Sequence, residues 1–188
     1  MTKEAIKYLY RNPVSGVYTG FWACSRPHGK YTGIWPIGLI ERVFQLIGKP
    51  ETILEPFAGT SKLGVSIDWN SNVHPDILAD AQNLPIRDEC FDAVFLDPPY
   101  TETYVQHYSD LDQRLKRTKP KFGFYKTFAE AGRVVKEGGH VVLLHTLIPK
   151  HLGRENFRRV ATIGVSTGPN KRIRCLSIFK KYKSMCDV

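Results

Sequence analysis

A chain of 188 residues, 42% of them apolar, is long enough to bury one sizeable core and short for two, so a single domain over 1–188 is expected. Its four cysteines, Cys24, Cys90, Cys175 and Cys186, are widely spaced, which leaves no CxxC or Cys/His zinc cluster and reads as reduced thiols with no metal. No run nears the roughly 18 apolar residues of a membrane span, and the start MTKEAIKYLYRNPVSG has no apolar signal core, so the chain reads as cytoplasmic.

The formal net charge of +9 is unevenly placed. Residues 1–100 hold 9 Lys and Arg against 11 Asp and Glu, whereas 101–188 hold 18 against 7. A positive field confined to one half suits a polyanionic partner such as nucleic acid, through steering and counterion release.

In chain order, GIWPIGLIERVFQLIG (33–48) spaces Ile37, Ile40, Val43, Phe44 and Ile47 as a helix face and stops at Gly48. TILEPFAGTSKLG then reads as a short strand breaking into a tight loop, and VSIDWN as a strand ending on an acid. HPDILADAQNLP repeats that pattern with Asp80, and CFDAVFLDPPY is the most apolar strand of all, ending on Asp97. Residues 125–136 place Phe128, Ala131, Val134 and Val135 on one helical side, with Gly138 and Gly139 as the expected stop, before the buried strand HVVLLHTLI. The tail alternates on both sides of TGPNKR, which predicts an antiparallel hairpin. Strands alternating with helices predict an α/β fold with a mostly parallel sheet and helices on both faces. In such sheets ligands bind beyond the carboxyl ends of the strands, where each of these acids falls.

The string FLDPPY (95–100) asks why a buried strand should end on a charge followed by two residues without an N–H. As a turn, Asp caps and Pro breaks. As chemistry, an exocyclic amine on a base is a poor nucleophile until two acceptors take its N–H groups. Asp97 supplies one oxygen and the carbonyl of Pro98, fixed by proline's φ, the other. Pro99 stiffens the loop, and Tyr100 stacks on the base, which is worth roughly 1–3 kcal/mol.

DPPY placed after ILEPFAGTSKLG resembles the class I S-adenosylmethionine-dependent amino-methyltransferases, which modify adenine N6, cytosine N4 or related RNA amines. The resemblance runs over roughly residues 20 to 182 and implies a Rossmann-like, seven-stranded sheet with a reversed terminal hairpin. It implies that Glu55, Pro56, Phe57, Ala58, Gly59 and Thr60 cradle the methionine end of S-adenosylmethionine. It also implies that Asp68 holds the ribose, that Asp80, beside Ala81, meets the adenine amine, and that the segment 1–50 closes the cofactor site through Tyr31 and Thr32. Two departures stand out. Ser61 occupies a position usually held by glycine, and Gly59 to Asp68 leaves room for barely two helical turns. A second alignment makes 62–72 the helix and Asp80 the ribose acid.

Arg114, Lys116, Arg117, Lys119, Lys121 and Lys126, interleaved with Phe122, Phe124 and Tyr125, form a basic segment after the catalytic loop. It suits phosphate tracking with aromatic support for an extruded base, or else a solvated loop whose aromatics turn inward. KHLGRENFRR and NKRIR are further basic candidates. The chain has no room for a separate target-recognition domain, so recognition is expected to be minimal or supplied by a homodimer or another partner.

The expected function is methylation of an exocyclic base amine, adenine N6 in DNA first, since Asp heads the motif. RNA adenine N6 or guanine N2 is the rival. A nucleic-acid-binding subunit that keeps the fold without turnover is a third reading, and methylation of a metabolite or protein side chain leaves the basic half unexplained. No GxxxxGK[ST] occurs, which argues against nucleotide hydrolysis.

Overall fold

The computed structural model describes residues 4–27, 34–99, 123–150, 156–169 and 171–183. Tyr31, Thr32, Tyr100, Arg114, Lys116, Arg117, Lys119, Lys121 and Phe122 lie outside them.

In chain order the elements are α1 (Glu4–Lys7), β1 (Tyr10–Arg11), β2 (Tyr18–Ala23), α2 (Leu39–Ile47), β3 (Ile53–Pro56), β4 (Val65–Asp68), a 3-10 turn (Ser71–Val73) and β5 (Ile77–Leu78). There follow β6 (Phe91–Leu96), α3 (Phe124–Val134), β7 (Val135–His145), β8 (Phe157–Ser166) and β9 (Arg174–Lys181). The strands form one sheet in the order β1-β2-β8-β9-β7-β6-β3-β4-β5. From β5 to β7 the neighbours are parallel, β9 runs antiparallel to both β7 and β8, and the late hairpin forms as expected.

The expected seven strands are two too few: among the described residues the sheet has nine, of mixed orientation. The additional pair comes from the amino-terminal segment, where β2 lies parallel to β8 and β1 antiparallel to β2. In β2, YTGFWA, only Trp22 is buried, so no apolar alternation marks it as a strand. Its role is to cover the edge of β8, whose backbone would otherwise be left unpaired.

Both faces of the sheet are packed because successive side chains of a strand point to opposite sides. Ala93, Phe95, Val142 and Leu144 join Leu39 and Val43 of α2 in one apolar cluster. Val94, Leu96, Val141 and Leu143 join Phe128, Ala131 and Val134 of α3 in the other. Each of the larger side chains among them, Val, Leu or Phe, contributes about 1.5–3 kcal/mol when fully buried.

Two boundaries differ from expectation. Helix α2 starts at Leu39, and Ile37 lies ahead of it, 49% exposed and bridged to Ser25. Helix α3 passes into β7 at Val135 with no glycine stop, and Gly138 and Gly139 lie inside the strand. They sit where the β6–β7 register shifts, and a Cβ on Gly139 would come within 2.6 Å of the Asp92 carbonyl oxygen. Gly139 serves close approach of two strands and Gly138 supplies the left-handed φ of 77 at the register shift, tertiary needs that mimic a helix-stop signal.

Asp92 pins the amino ends of three strands. Its carboxylate accepts from the Thr52 N–H and hydroxyl, each at 2.8 Å, and from Lys136 Nζ at 2.8 Å. The Lys136 bond, aided by Thr52, holds its pKa down at about 2. A depressed carboxylate stabilises the fold fully above its unfolded value of about 3.9 and stops doing so as pH falls through the folded value. Asp92→Asn is therefore expected to lower the urea midpoint at pH 6, with the gap to wild type closing towards pH 2. A gap that stays constant over that range would show that Asp92 is not the titrating staple.

Candidate active site at the carboxyl ends of the sheet

The chain runs outward from β3 through β4 to β5, then returns to the other side of β3 as β6. That reversal opens a crevice at the carboxyl ends of β3 and β6. Around it stand Glu55 in β3, Asp68 at the tip of β4, Asp97 after β6 and His145 at the end of β7.

Glu55 is 1% exposed. Its Oε1 accepts from Trp35 Nε1 at 2.6 Å, its Oε2 from the Leu63 N–H at 3.2 Å, and the Ser61 hydroxyl bonds the same carboxylate. Burial pushes its pKa up against the pull of these donors, and the nearby Asp97 charge pushes the same way. Ser61 thus has a task that the usual glycine lacks. Trp35 was not foreseen as a site residue; a lone tryptophan before a helix carries no signal of the acid it will bind.

Between β3 and β4 the chain uses only residues 57–64 and forms no helix. Parallel neighbours usually need a dozen or more connecting residues. Here β3 is four residues long, about 13 Å, a drop that a short extended return can span. Gly64 passes so close to the start of β3 that a Cβ would sit 2.4 Å from the Ile53 carbonyl oxygen. The turn itself holds Phe57 at φ 64 and Gly59 at φ 54. A left-handed phenylalanine is costly and persists where its surroundings impose it, as at ligand clamps.

The alternative with a helix over 62–72 is overturned, because 65–68 form β4, hydrogen-bonded between β3 and β5. Asp68, 8% exposed, staples the turn: Oδ2 accepts from the Gly59 N–H at 3.0 Å and Oδ1 from the Asn70 N–H at 2.9 Å. Burial raises its pKa, opposed by the Asn70, Gly59 and Trp69 N–H groups. Beside it, buried Asn70 Nδ2 and Thr60 Oγ1 have no hydrogen-bond partner among the described residues. Orphaned polar atoms at this depth call for an explanation, and a bound polar ligand is one. Asn70 was missed in sequence, where it reads as a turn residue.

Glu55, Pro56, Phe57, Ala58, Gly59, Thr60 and Asp68 therefore come together. Asp80 and Ala81 follow β5, one strand further out; Asp80 is exposed and accepts from the Gln82 N–H at 2.9 Å. Gln82 in turn accepts from the Gly123 N–H ahead of α3 at 2.9 Å. On α3, Lys126 is exposed and Tyr125 is 77% exposed. Phe124, expected among the aromatics supporting a base, instead packs inward on Phe128 at 4.6 Å and His145 at 5.3 Å between centroids. Half of its neighbours on the helix are apolar, and its ring follows them into the core.

Asp97 and Pro98 leave β6 together, with Pro98 buried and Pro99 partly exposed. Asp97, its side chain 12% exposed, pairs with Arg174 Nη1 at 3.4 Å. The sequence separates these two residues by 77 positions, and no local pattern joins them. His145, 3% exposed, accepts from the Leu147 N–H at Nδ1 at 2.9 Å, and burial holds its pKa down.

No protein-family model matches the chain, and no curated protein matches it in sequence. Solved structures match in shape. TrmN from Thermus thermophilus aligns with 76% of this chain and 48% of its own, at a TM-score of 0.52 and 18% identity. The PH0226 protein from Pyrococcus horikoshii OT3 aligns with 76% of this chain and 87% of its own, at 0.51 and 14%. The N-methyltransferase NodS from Bradyrhizobium japonicum WM9 aligns with 77% of this chain and 96% of its own, at 0.50 and 14%. This chain spans about half the length of TrmN.

Trp35→Phe is expected to cost about 1.5–3 kcal/mol of stability, the range for a hydrogen bond to a charged group. The loss should widen as pH rises through the ionisation of Glu55, because the indole N–H favours the charged form. Urea unfolding at pH 5 and pH 8 checks this; an equal loss at both would detach Trp35 from the carboxylate charge. At identities this low the shared feature is the fold, and the chain has the Rossmann-like α/β fold found in NodS, an N-methyltransferase.

Proposed function

We propose that the chain is an S-adenosylmethionine-dependent methyltransferase acting on an exocyclic amino group of a nucleic-acid base, adenine N6 in DNA. The observation that carries this reading is the placement of Asp97-Pro98-Pro99 at the carboxyl tip of β6, across the crevice from the Glu55–Asp68 turn on the neighbouring β3 and β4.

The residues on the cofactor side fit the methyl donor. Thr60 Oγ1 and Asn70 Nδ2 are buried polar atoms that lack a hydrogen-bond partner among the described residues. The Asp68 carboxylate accepts from backbone N–H groups of the turn, and with about four acceptor positions it has room for a ribose hydroxyl. Gly59, with no Cβ, lets the backbone come close to a ligand. When bound, S-adenosylmethionine supplies an electrophilic methyl group.

On the opposite side Asp97 accepts one N–H of the base amine and the Pro98 carbonyl accepts the other, so the nitrogen lone pair is drawn out of the ring. Preorganised acceptors aimed at a nitrogen gaining positive charge are electrostatic transition-state stabilisation. Arg174 pairs with the Asp97 carboxylate at 3.4 Å, and a carboxylate offers the amine acceptors only. Tyr100, outside the described residues, is the proposed stacking partner of the base.

The basic half of the chain favours a polyanionic substrate. A duplex hides the amine, so the target base is single-stranded or flipped. Aspartate at the head of the motif favours adenine, and DNA is the first substrate to test, with RNA alongside it. Incubation with labelled S-adenosylmethionine and either polymer, followed by nucleoside analysis, identifies which is modified.

Asp97→Asn and Asp97→Ala are expected to cut methyl transfer by about 10²–10³-fold or more, the scale of losing one preorganised group. Calorimetric affinity for S-adenosylmethionine should stay within a few-fold of wild type. Near wild-type transfer by either variant would remove Asp97 from the chemistry, and a wild-type chain that binds no S-adenosylmethionine would overturn the reading as a whole.

A further inference from the structure

Strands β1, β2, β8 and β9 lie side by side and contain no Asp or Glu. At the end of the sheet away from the crevice they carry a row of basic side chains. Lys180 of β9 pairs in register with Arg158 of β8 on one side and with His140 of β7 on the other. Cross-strand partners share a face. Lys180 lies two residues from Ile178, so the row is on the face that α2 packs against. Burial and then the Lys180 charge hold the His140 pKa down at about 4, which leaves the charge of the row on Arg158 and Lys180.

Like charges directly opposite each other on neighbouring strands destabilise a sheet. No carboxylate relieves this pair: neither cation has an ion-pair or hydrogen-bond partner among the described residues. Instead both lie over one ring, with Arg158 at 5.1 Å and Lys180 at 5.8 Å from the centroid of Tyr182. Arg158 is exposed, Tyr182 is 42% exposed, and Lys183 beside it is exposed. On β1, exposed Arg11 lies over the Tyr18 ring at 5.6 Å, and Tyr18 pairs in register with Ala161 of β8 on the same face.

Four cations and two tyrosines therefore border an acid-free part of the sheet. Local rules are broken at functional sites, and like charges held together without an internal counterion suit an anion from outside. Cations interleaved with aromatic rings suit a single-stranded polynucleotide, whose backbone draws the cations and whose bases have stacking faces. From Arg174, paired with Asp97 at the crevice, β9 runs to Lys180, about 20 Å further on. With one phosphate per roughly 3.4 Å of a strand, that distance is about six nucleotides.

Resting on the polynucleotide substrate proposed above, we propose that Arg158, Lys180 and Tyr182, with Arg11 and Lys183, form a second contact surface for that polymer, remote from the crevice. It holds the phosphate backbone about six nucleotides from the base presented to Asp97.

The test uses the full chain, a single-stranded 15-mer of DNA containing adenines, RNA of the same sequence, and vesicles containing phosphatidylserine. Binding of each 15-mer is followed by fluorescence anisotropy across a salt series, with S-adenosylmethionine affinity and the urea midpoint measured in parallel. Each phosphate contact on a single strand contributes about 0.7 to the slope of log K against log salt. Arg158→Ala with Lys180→Ala is expected to lower the slope by about 1.4. S-adenosylmethionine affinity should not change, and the urea midpoint should hold or rise, because the like-charge pair is gone. Arg158→Glu, which sets an opposite charge against Lys180, is expected to lower the slope by a similar amount and to raise the midpoint. Arg158→Lys should keep the wild-type slope.

Slope loss with either polymer supports the surface, and if the double variant does not fold, Arg158→Glu decides. An unchanged slope, or binding to the vesicles with no affinity for either 15-mer, overturns the surface and leaves the methyltransferase reading standing. Failure of the wild-type chain to bind S-adenosylmethionine instead removes that underlying reading.

Discussion

A carboxylate that is 1% exposed must be matched by donors or give up its charge, and Glu55 is matched by donors from two separate parts of the chain. The Trp35 indole reaches it from the segment ahead of α2. The Leu63 N–H and the Ser61 hydroxyl reach it from the return loop to β4. The same acid therefore fixes the turn that follows β3 and the approach of the segment before α2. Without it the short β3–β4 loop would have little to define it, since that loop has no helix to stiffen it.

The turn is held from its other side by Asp68. One carboxylate oxygen takes the Gly59 N–H and the other the Asn70 N–H, so two buried acids clamp one loop between them. Both have raised pKa values because burial disfavours their charge. Such acids cost the fold something, and the left-handed Phe57 between them adds backbone strain. Natural proteins carry concentrated costs of this kind at functional sites, where geometry matters more than local stability.

The remaining polar link at the rim is Asp97 with Arg174. It joins the proposed amine-binding loop to the terminal hairpin, so the two halves of the chain, one mildly acidic and one strongly basic, meet on the β6 side of the crevice. The reversed direction of β9 is what makes this meeting possible. A parallel strand in its place would begin at the opposite end of the sheet and carry its basic turn away from Asp97.

The sequence by itself determined the elements whose signal is local. The apolar runs of β6 and β7, the helical spacing of α3, the closing hairpin and the acids at strand ends could all be read because periodicity and strand-end chemistry are written in neighbouring residues. The turn from Glu55 to Thr60 and the acid Asp68 were legible for the same reason. Tertiary structure alone decided that β1 and β2 join the sheet, because their only buried residue is Trp22 and edge protection leaves no pattern. It decided that Gly138 and Gly139 sit at a register shift inside a strand, that the strand ending in Asp68 lies next to β3, and that Phe124 turns inward. It also decided the pairings of Trp35 with Glu55 and Arg174 with Asp97, which depend on which strands lie side by side, and strand order is set by long-range burial that no short stretch of residues encodes.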